Sequence, residues 1–530
     1  VFPTLPPLLL GFRDLQAGMD YISRLPLANP SVANEQINQF LDNFLAAPLD
    51  HAGSMALLEH LRGPLAFVQE ELARRCHDKP LVLGELEDRI FQRVVATWHK
   101  LIKAYALCAA RDPASPGDPG YGGRRATILQ RSLHGTGMII LEHYRARREL
   151  PEGVWLDLHG YYEAAEQLGV ATTPVANGGD DSTTHCSAAY VASLLIEVAS
   201  PYSHTVRDIN LIRRWAGLWA PLVSVEHLAD GESPPYVVEL TRDAGLHPLE
   251  EGRPEGVDRR RLDTSRLAAK VGNVLKELRQ KVSATRLGLG EERSSHVIAL
   301  LEQLVRPWSQ LAAARRFRRF ATSGTARVCT GFEASHFFVS GRPFEQPLVG
   351  NTYSRDEFAL AFSFRERNVP GQRPCFRPDE DYDVDSWDVI NHSANGFRLA
   401  RSMAGQKMSH GQLLALCPPD GGKFLLGYST WLMQEHSGGL VAGVAVLPGL
   451  PAGVAVRMQG SGQEREQPFV RGFLLSPVAG LADKGCLLLP TGTYQASRVF
   501  EIHAGGLWRV RVKNLLQRGM DFERVSFETV

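Results

Sequence analysis

Long apolar runs are missing from this 530-residue chain, and none reaches the roughly 18–20 residues that a membrane-spanning helix needs. Net charge is missing as well. Lys and Arg total 58, and so do Asp and Glu. No global field draws such a chain to nucleic acid or an anionic surface, so any anion site has to be local. The seven cysteines (Cys76, Cys108, Cys186, Cys329, Cys375, Cys417, Cys486) are scattered and odd in number, with no C-x-x-C pair. That sets aside a zinc knuckle and a disulfide framework and fits buried free thiols in a reducing cytoplasm. There is no GxSxG elbow, HExxH helix, Walker phosphate loop or dinucleotide fingerprint. His134, His143, His159 and His185 form no i, i+4 ligand pair. No catalytic chemistry or metal is implied. The opening stretch VFPTLPPLLLGF has no basic segment before its apolar run and reads as a truncated or processed end, not a signal peptide.

A chain of this length is expected to hold two to four domains. From 34 to 304 the apolar residues recur mainly at helical spacing. Leu86, Ile90, Val94, Trp98, Leu101 and Tyr105 form one stripe within 83–108. The segment 55–74 is similar, with Pro64 expected to kink or divide it. Further helices are expected over 128–144, 155–168, 185–198, 209–219, 261–280 and 294–304, with a loop over 112–123. A shorter strand-compatible piece interrupts them within 222–248. Trp155, Leu158 and Tyr162 echo a tetratricopeptide start, but a single copy without a period favours a bundle or irregular array.

After Arg319 short apolar runs separated by Gly, Pro and Asn take over, the pattern of a β-barrel or sandwich. About 210 residues exceed one small barrel, which leaves room for a second. The fold class is therefore α+β multidomain: an all-α helical bundle or array, then antiparallel β-barrel structure. The expected boundaries are 1–33 (extension), 34–304 (helical), 305–448 (barrel, with an insertion at 336–385) and 449–530 (strand-rich). Within the insertion, 365–385 is Pro-rich and charged and is expected to be a surface excursion.

Two elements carry the functional signal. One is the basic cluster Arg315, Arg316, Arg318 and Arg319. The other is Asn391, Ser393 and Gly396, an (Asp/Asn)-x-Ser-x-x-Gly pattern inside DSWDVINHSANGFRLAR. In this order they resemble the two ligand-binding signatures of the PilZ domain, a receptor for the second messenger cyclic di-GMP. The strand-like ARVCTGF at 326–332 and the paired runs across 425–447 extend the resemblance. Asn391 stands where Asp is the commoner family residue.

The resemblance implies that all seven residues, Arg315, Arg316, Arg318, Arg319, Asn391, Ser393 and Gly396, hold cyclic di-GMP, with no cofactor and no catalysis. Chemically the choice is sensible. A guanidinium fork matches guanine O6 and N7 and also reaches phosphate or stacks on a purine. Asn and Ser hydrogen-bond base edges, and Gly lets backbone approach a ligand. By the same resemblance the output is motility, type IV pili or biofilm formation. The helical region would then contact a protein partner in pilus, motility or secretion machinery.

Two other readings remain. One is an interaction scaffold with a ligand-dead barrel. The other is a single-strand nucleic-acid module, suggested by RRFRRF at 315–320 but opposed by the zero net charge. The GGDD at 178–181 looks like part of the GG(D/E)EF signature of cyclic di-GMP cyclases. With Ser182 next and a helical pattern from His185, it reads instead as a loop and helix cap.

Overall fold

The computed structural model describes residues 14–177, 182–229, 231–249, 258–311, 319–347, 382–459, 468–477, 485–504 and 506–530. Arg315, Arg316, Arg318, Cys375, the GGDD stretch and all but the last four residues of 365–385 lie outside them. The chain forms two compact units, Val1–Lys79 with Leu83–Ala314, and Pro80–Val82 with Arg315–Val530.

The first unit contains helices α1 (Leu15–Ser23), α2 (Pro30–Ala46), α3 (His51–Ala73), α4 (Glu85–Ala110) and α5 (Tyr121–Arg145). It continues with α6 (Val154–Gln167), α7 (Cys186–Val198), α8 (Val206–Trp219), α9 (Ser265–Arg279) and α10 (Ser294–Trp308). Local chemistry starts several of them. Asp14, Asn29, Asp50 and Thr205 cap the amides of Ala17, Val32, Gly53 and Asp208, and Pro30 takes the first turn of α2. Val94, Trp98, Leu101 and Tyr105 bury one face of α4 as their spacing requires, but Leu86 ends up 63% exposed. Pro64 does not divide α3, which is one helix. The carbonyl that Pro64 leaves without an amide belongs to exposed His60, where water can satisfy it. The loop expected over 112–123 is three residues shorter, because α5 already begins at Tyr121.

Helix α5 is enclosed by α4, α6 and α7 and buries charge. Arg131 grips Glu59 with two bonds of 3.0 and 2.8 Å. Arg145 reaches Glu142 at 2.8 Å, Glu70 at 3.0 Å and Asn210 at 2.5 Å. The two-residue strands β1 (Val175–Ala176) and β2 (Thr183–Thr184) pair with each other. The expected strand-bearing interruption is a four-stranded sheet. Its order is β3 (Ser224–His227), β6 (Arg259–Asp263), β4 (Tyr236–Glu239), β5 (His247–Pro248).

The second unit holds two six-stranded rings. The first uses β8 (Thr325–Thr330), β9 (Asp385–Ser393), β10 (Gly396–Arg401), β11 (Leu413–Cys417), β12 (Leu425–Gln434) and β13 (Leu440–Val446). Antiparallel pairing runs β8–β9–β10–β13–β12–β11 and back to β8, so the ring closes. A short strand β7 (Phe320–Ala321) lies on the free end of β9. The second barrel closes as β14–β15–β16–β19–β18–β17. Its strands are β14 (Pro451–Met458), β15 (Val470–Leu475), β16 (Cys486–Pro490), β17 (Val499–His503), β18 (Leu507–Arg518) and β19 (Phe522–Thr529).

One helix of this unit was not expected. After β8, Gly331 at φ 90° turns the chain into α11 (Phe332–Ser340). Phe338 of α11, Leu413 of the first barrel, and Phe473 and Phe522 of the second share one apolar core. The six described cysteines are buried free thiols. Among the described residues no helix is long and apolar enough to cross a membrane.

Candidate ligand-binding face of the first barrel

Strands β9 and β10 form a hairpin in which Ser393 pairs with Gly396 across a two-residue turn. Gly396 has a packing reason of its own: a Cβ there would collide with the Val444 carbonyl of neighbouring β13. Ser393 Oγ donates to Asn395 Oδ1 at 2.9 Å, which fixes the turn.

A bulge decides which way the hairpin points its side chains. Leu399 pairs with Val389, and both are buried in the barrel. The next pair is Arg398 with Asn391, so Ile390 is the extra residue on β9. Strict alternation from Val389 would have turned Asn391 inward. The bulge instead places Asn391 beside Arg398, on the face opposite Leu399.

A second bulge, at Thr430 on β12, sits close by. Ser429 pairs with Val444 and Trp431 with Gly443. Gly443 is also the partner of Arg398, and a Cβ on it would overlap the Trp431 indole. With that position empty, the Arg398 guanidinium lies 5.7 Å from the centre of the Trp431 ring. The buried Nε of Arg398 has no hydrogen-bond partner among the described residues.

Strand β7 brings the arginine segment to this place. Phe320 pairs with His392 and Ala321 with Asn391, so exposed Arg319 is carried to the level of Ser393. Phe320, His392 and Phe397 form a row with ring centres 5.8 and 6.2 Å apart, and Phe320 is half exposed. Of the seven residues singled out in the sequence, the structure brings together Arg319, Asn391, Ser393 and Gly396. Arg315, Arg316 and Arg318 lie outside the described residues. Sequence reasoning missed Arg398 and Trp431. Their only trace was Gly443, a small residue in an apolar strand run, whose meaning depends on its cross-strand neighbours.

The face can therefore offer a flat cationic platform, an amide, a hydroxyl and a mobile-length guanidinium within one patch. That inventory suits a planar, anionic ligand more than a proton-transfer reaction. Among the described residues no cluster of three or more His, Cys, Asp or Glu is arranged to hold a metal.

Comparison with known proteins gives three domain matches in order along the chain. Residues 16–230 match the N-terminal domain of the cyclic-di-GMP receptor FimW, and 237–373 match its middle PilZ domain. Residues 454–530 match the FimW C-terminal β-barrel domain, and this match falls on the second barrel. The arginine cluster lies within the middle-domain match, and Asn391–Gly396 lies beyond it. The cyclic-di-GMP receptor FimW of Pseudomonas aeruginosa strain PAO1 is 24% identical over a 548-residue alignment. That alignment covers 94% of this chain and 87% of the relative. With all three domains matched in order, the chain belongs to the PilZ-domain cyclic-di-GMP receptor family that FimW represents.

Proposed function

We propose that this protein is a receptor for cyclic di-GMP that binds the ligand on the outer face of the first barrel. The convergence of Asn391, Ser393, Arg398 and Trp431 beside Arg319 carries this reading. In it, Arg319 and the neighbouring Arg315, Arg316 and Arg318 take phosphate and guanine acceptors. Arg398 on Trp431 offers a stacking surface, and Asn391 and Ser393 meet polar base edges. Asn391 in place of an acid keeps the hydrogen-bonding geometry and drops one negative charge near a dianionic ligand. The helical unit is the proposed contact surface for a protein partner in pilus or motility machinery, in a cytoplasm where the buried thiols stay reduced.

Titration calorimetry with cyclic di-GMP tests the site. Arg315→Ala, Arg319→Ala and Arg398→Ala should each weaken binding by about 2 kcal/mol, the scale of a lost charge-assisted hydrogen bond. Wild-type affinity in an Arg315→Ala, Arg319→Ala double variant would remove the arginines from the site. A second reading, a scaffold with a ligand-dead barrel, draws on the structural roles of Gly396 and Ser393 in the hairpin. It expects no binding heat from the intact chain.

A further inference from the structure

The second unit has a cavity of about 870 Å³ that the cyclic di-GMP reading does not use. It lies where α11 and the segment after it meet β14 and β17. The size is within the range of small-molecule sites. Its walls are held by specific contacts. Gly341, at φ 69°, ends α11 and turns the chain into 342–347. Gln346 then clips that segment to Phe469, accepting from its amide at 3.0 Å and donating to its carbonyl at 2.9 Å. Phe344 packs edge-on against the His336 ring at 5.5 Å and lies under the Arg471 guanidinium at 5.0 Å. On the floor, a Cβ at Gly453 would strike the Ser340 hydroxyl and reach His336 Nε2 at 3.0 Å. Gly453 thus lets α11 pack closely against β14 at the edge of the cavity.

The polar lining is rich in donors. His336, Ser340, Arg342 and His503 come from three different elements. His336 Nε2 contacts the Val454 carbonyl at 3.2 Å, and its Nδ1 is 3.5 Å from Ser340 Oγ. Arg342 is exposed and makes no ion pair among the described residues. Nearby carboxylates are mostly engaged: Glu333 holds Arg471 at 2.7 Å, and Glu501 holds Arg457 at 2.7 Å and Arg509 at 3.4 Å. Glu345, exposed on the 342–347 segment, is the acid in the lining. The field inside is accordingly positive. Burial pushes the His336 imidazole down to about 4, with Arg471 and Arg342 adding to the effect and the Val454 carbonyl opposing it. His503 is lowered as well, by burial and then by Arg342.

We propose that this cavity binds a small phosphate-bearing anion, inorganic or carried on a metabolite, with its phosphate between Arg342 and His503 and the Ser340 hydroxyl as a further donor. The apolar lining, Val339, Phe344 and Pro451, would face the body of a metabolite. An anion there offsets the charge of Arg342, which adds to burial in disfavouring the protonated imidazoles, so binding and imidazole protonation support each other. This site is separate from the barrel face that carries Arg319.

Thermal shift and calorimetry on the full chain, with pyrophosphate and ribose 5-phosphate as probes, test it. Both probes should stabilise the protein beyond sodium chloride of equal ionic strength. Tighter binding of ribose 5-phosphate would mark a metabolite as the ligand, and tighter pyrophosphate the inorganic anion. Arg342→Ala and His503→Ala should weaken binding about thirtyfold, the scale of one lost charge-assisted hydrogen bond. Arg319→Ala should leave it unchanged. Arg342→Glu, at an exposed position, separates lost binding from lost folding. The proposal is overturned if chloride reproduces the shift, if the effect survives Arg342→Glu, or if it disappears in Arg319→Ala.

Discussion

Both units bury some charge, the barrels at Arg457–Glu501 and Glu523, but they put their polar groups to different uses. The helical unit draws charge inward: Arg131, Arg145 and Glu142 are buried on α5, with partners that include Glu59 and Glu70 of α3 and Asn210 of α8. The barrels bury mainly apolar strand faces, and the first puts its informative polar residues, Asn391, Ser393 and Arg398, on the outside. A helix in the middle of an array has no outer face, so its long polar side chains must find partners inside. A closed barrel alternates inside and outside at every residue and can display a site without burying charge. Buried pairs are poor sources of net stability but costly to break.

The largest expected effect follows from that contrast. Arg145→Met removes the arginine partner of buried Glu142, leaving His77 alone beside the carboxylate, and should destabilise the helical unit by about 3–5 kcal/mol. Unit-resolved hydrogen exchange should show the loss in α3, α5 and α8 and spare the barrels. Equal loss in both units would mean that they unfold as one.

The next effect is in pH, where one group from each unit has the opposite sign. Burial raises the Glu197 carboxyl to about 7, against hydrogen bonds from the Leu246 and Gly245 amides that lower it. Between its ordinary value of 4.5 and about 7, the folded state keeps a proton that the unfolded state has released. Its contribution to stability therefore falls as pH rises through that window, by up to ~3 kcal/mol. His336, lowered from 6.5 to about 4, does the reverse. The unfolded state holds the extra proton there, so this contribution is present above pH 6.5 and is lost as pH falls toward 4, by a similar ~3 kcal/mol. Urea unfolding from pH 4 to 8 checks both. The wild-type minus Glu197→Gln and wild-type minus His336→Asn stability differences should slope in opposite directions. Parallel slopes would contradict the assignment.

The smallest expected effects separate folding from recognition within the hairpin. Gly396→Ala forces a Cβ onto the Val444 carbonyl and should cost about 1–3 kcal/mol of barrel stability. Ser393→Ala, on a partly exposed side chain, should change stability by less than ~0.5 kcal/mol. If the proposed function holds, it should nevertheless weaken cyclic di-GMP binding. An unchanged affinity would leave Ser393 with its turn role alone.

Much of the molecule was legible in the chain. Helical spacing marked α4, α6, α7 and α10 to within a few residues, because a buried stripe repeats every three or four positions whatever it packs against. The β-rich character after Arg319 was equally plain. Strand β19 escaped notice because Glu523 interrupts its apolar pattern. In the structure that carboxylate is fully buried, accepting from the Tyr494 amide at 2.7 Å and from Arg518. Helix α11 escaped because a glycine that looked like part of a strand run, Gly331, is the turn between strand and helix.

By itself the sequence determined the two-part architecture, the strand-rich second half, and the pairing of an arginine cluster with an Asn-x-Ser-x-x-Gly element. Those depend on periodicity and residue type, which are local. Only the tertiary structure decided that Asn391 faces outward, that Gly443 makes room for Arg398 on Trp431, and that β7 delivers Arg319 to Ser393. Each of these turns on a bulge or a cross-strand register between residues distant in the chain. A one-residue shift reverses every side chain beyond it and leaves composition unchanged.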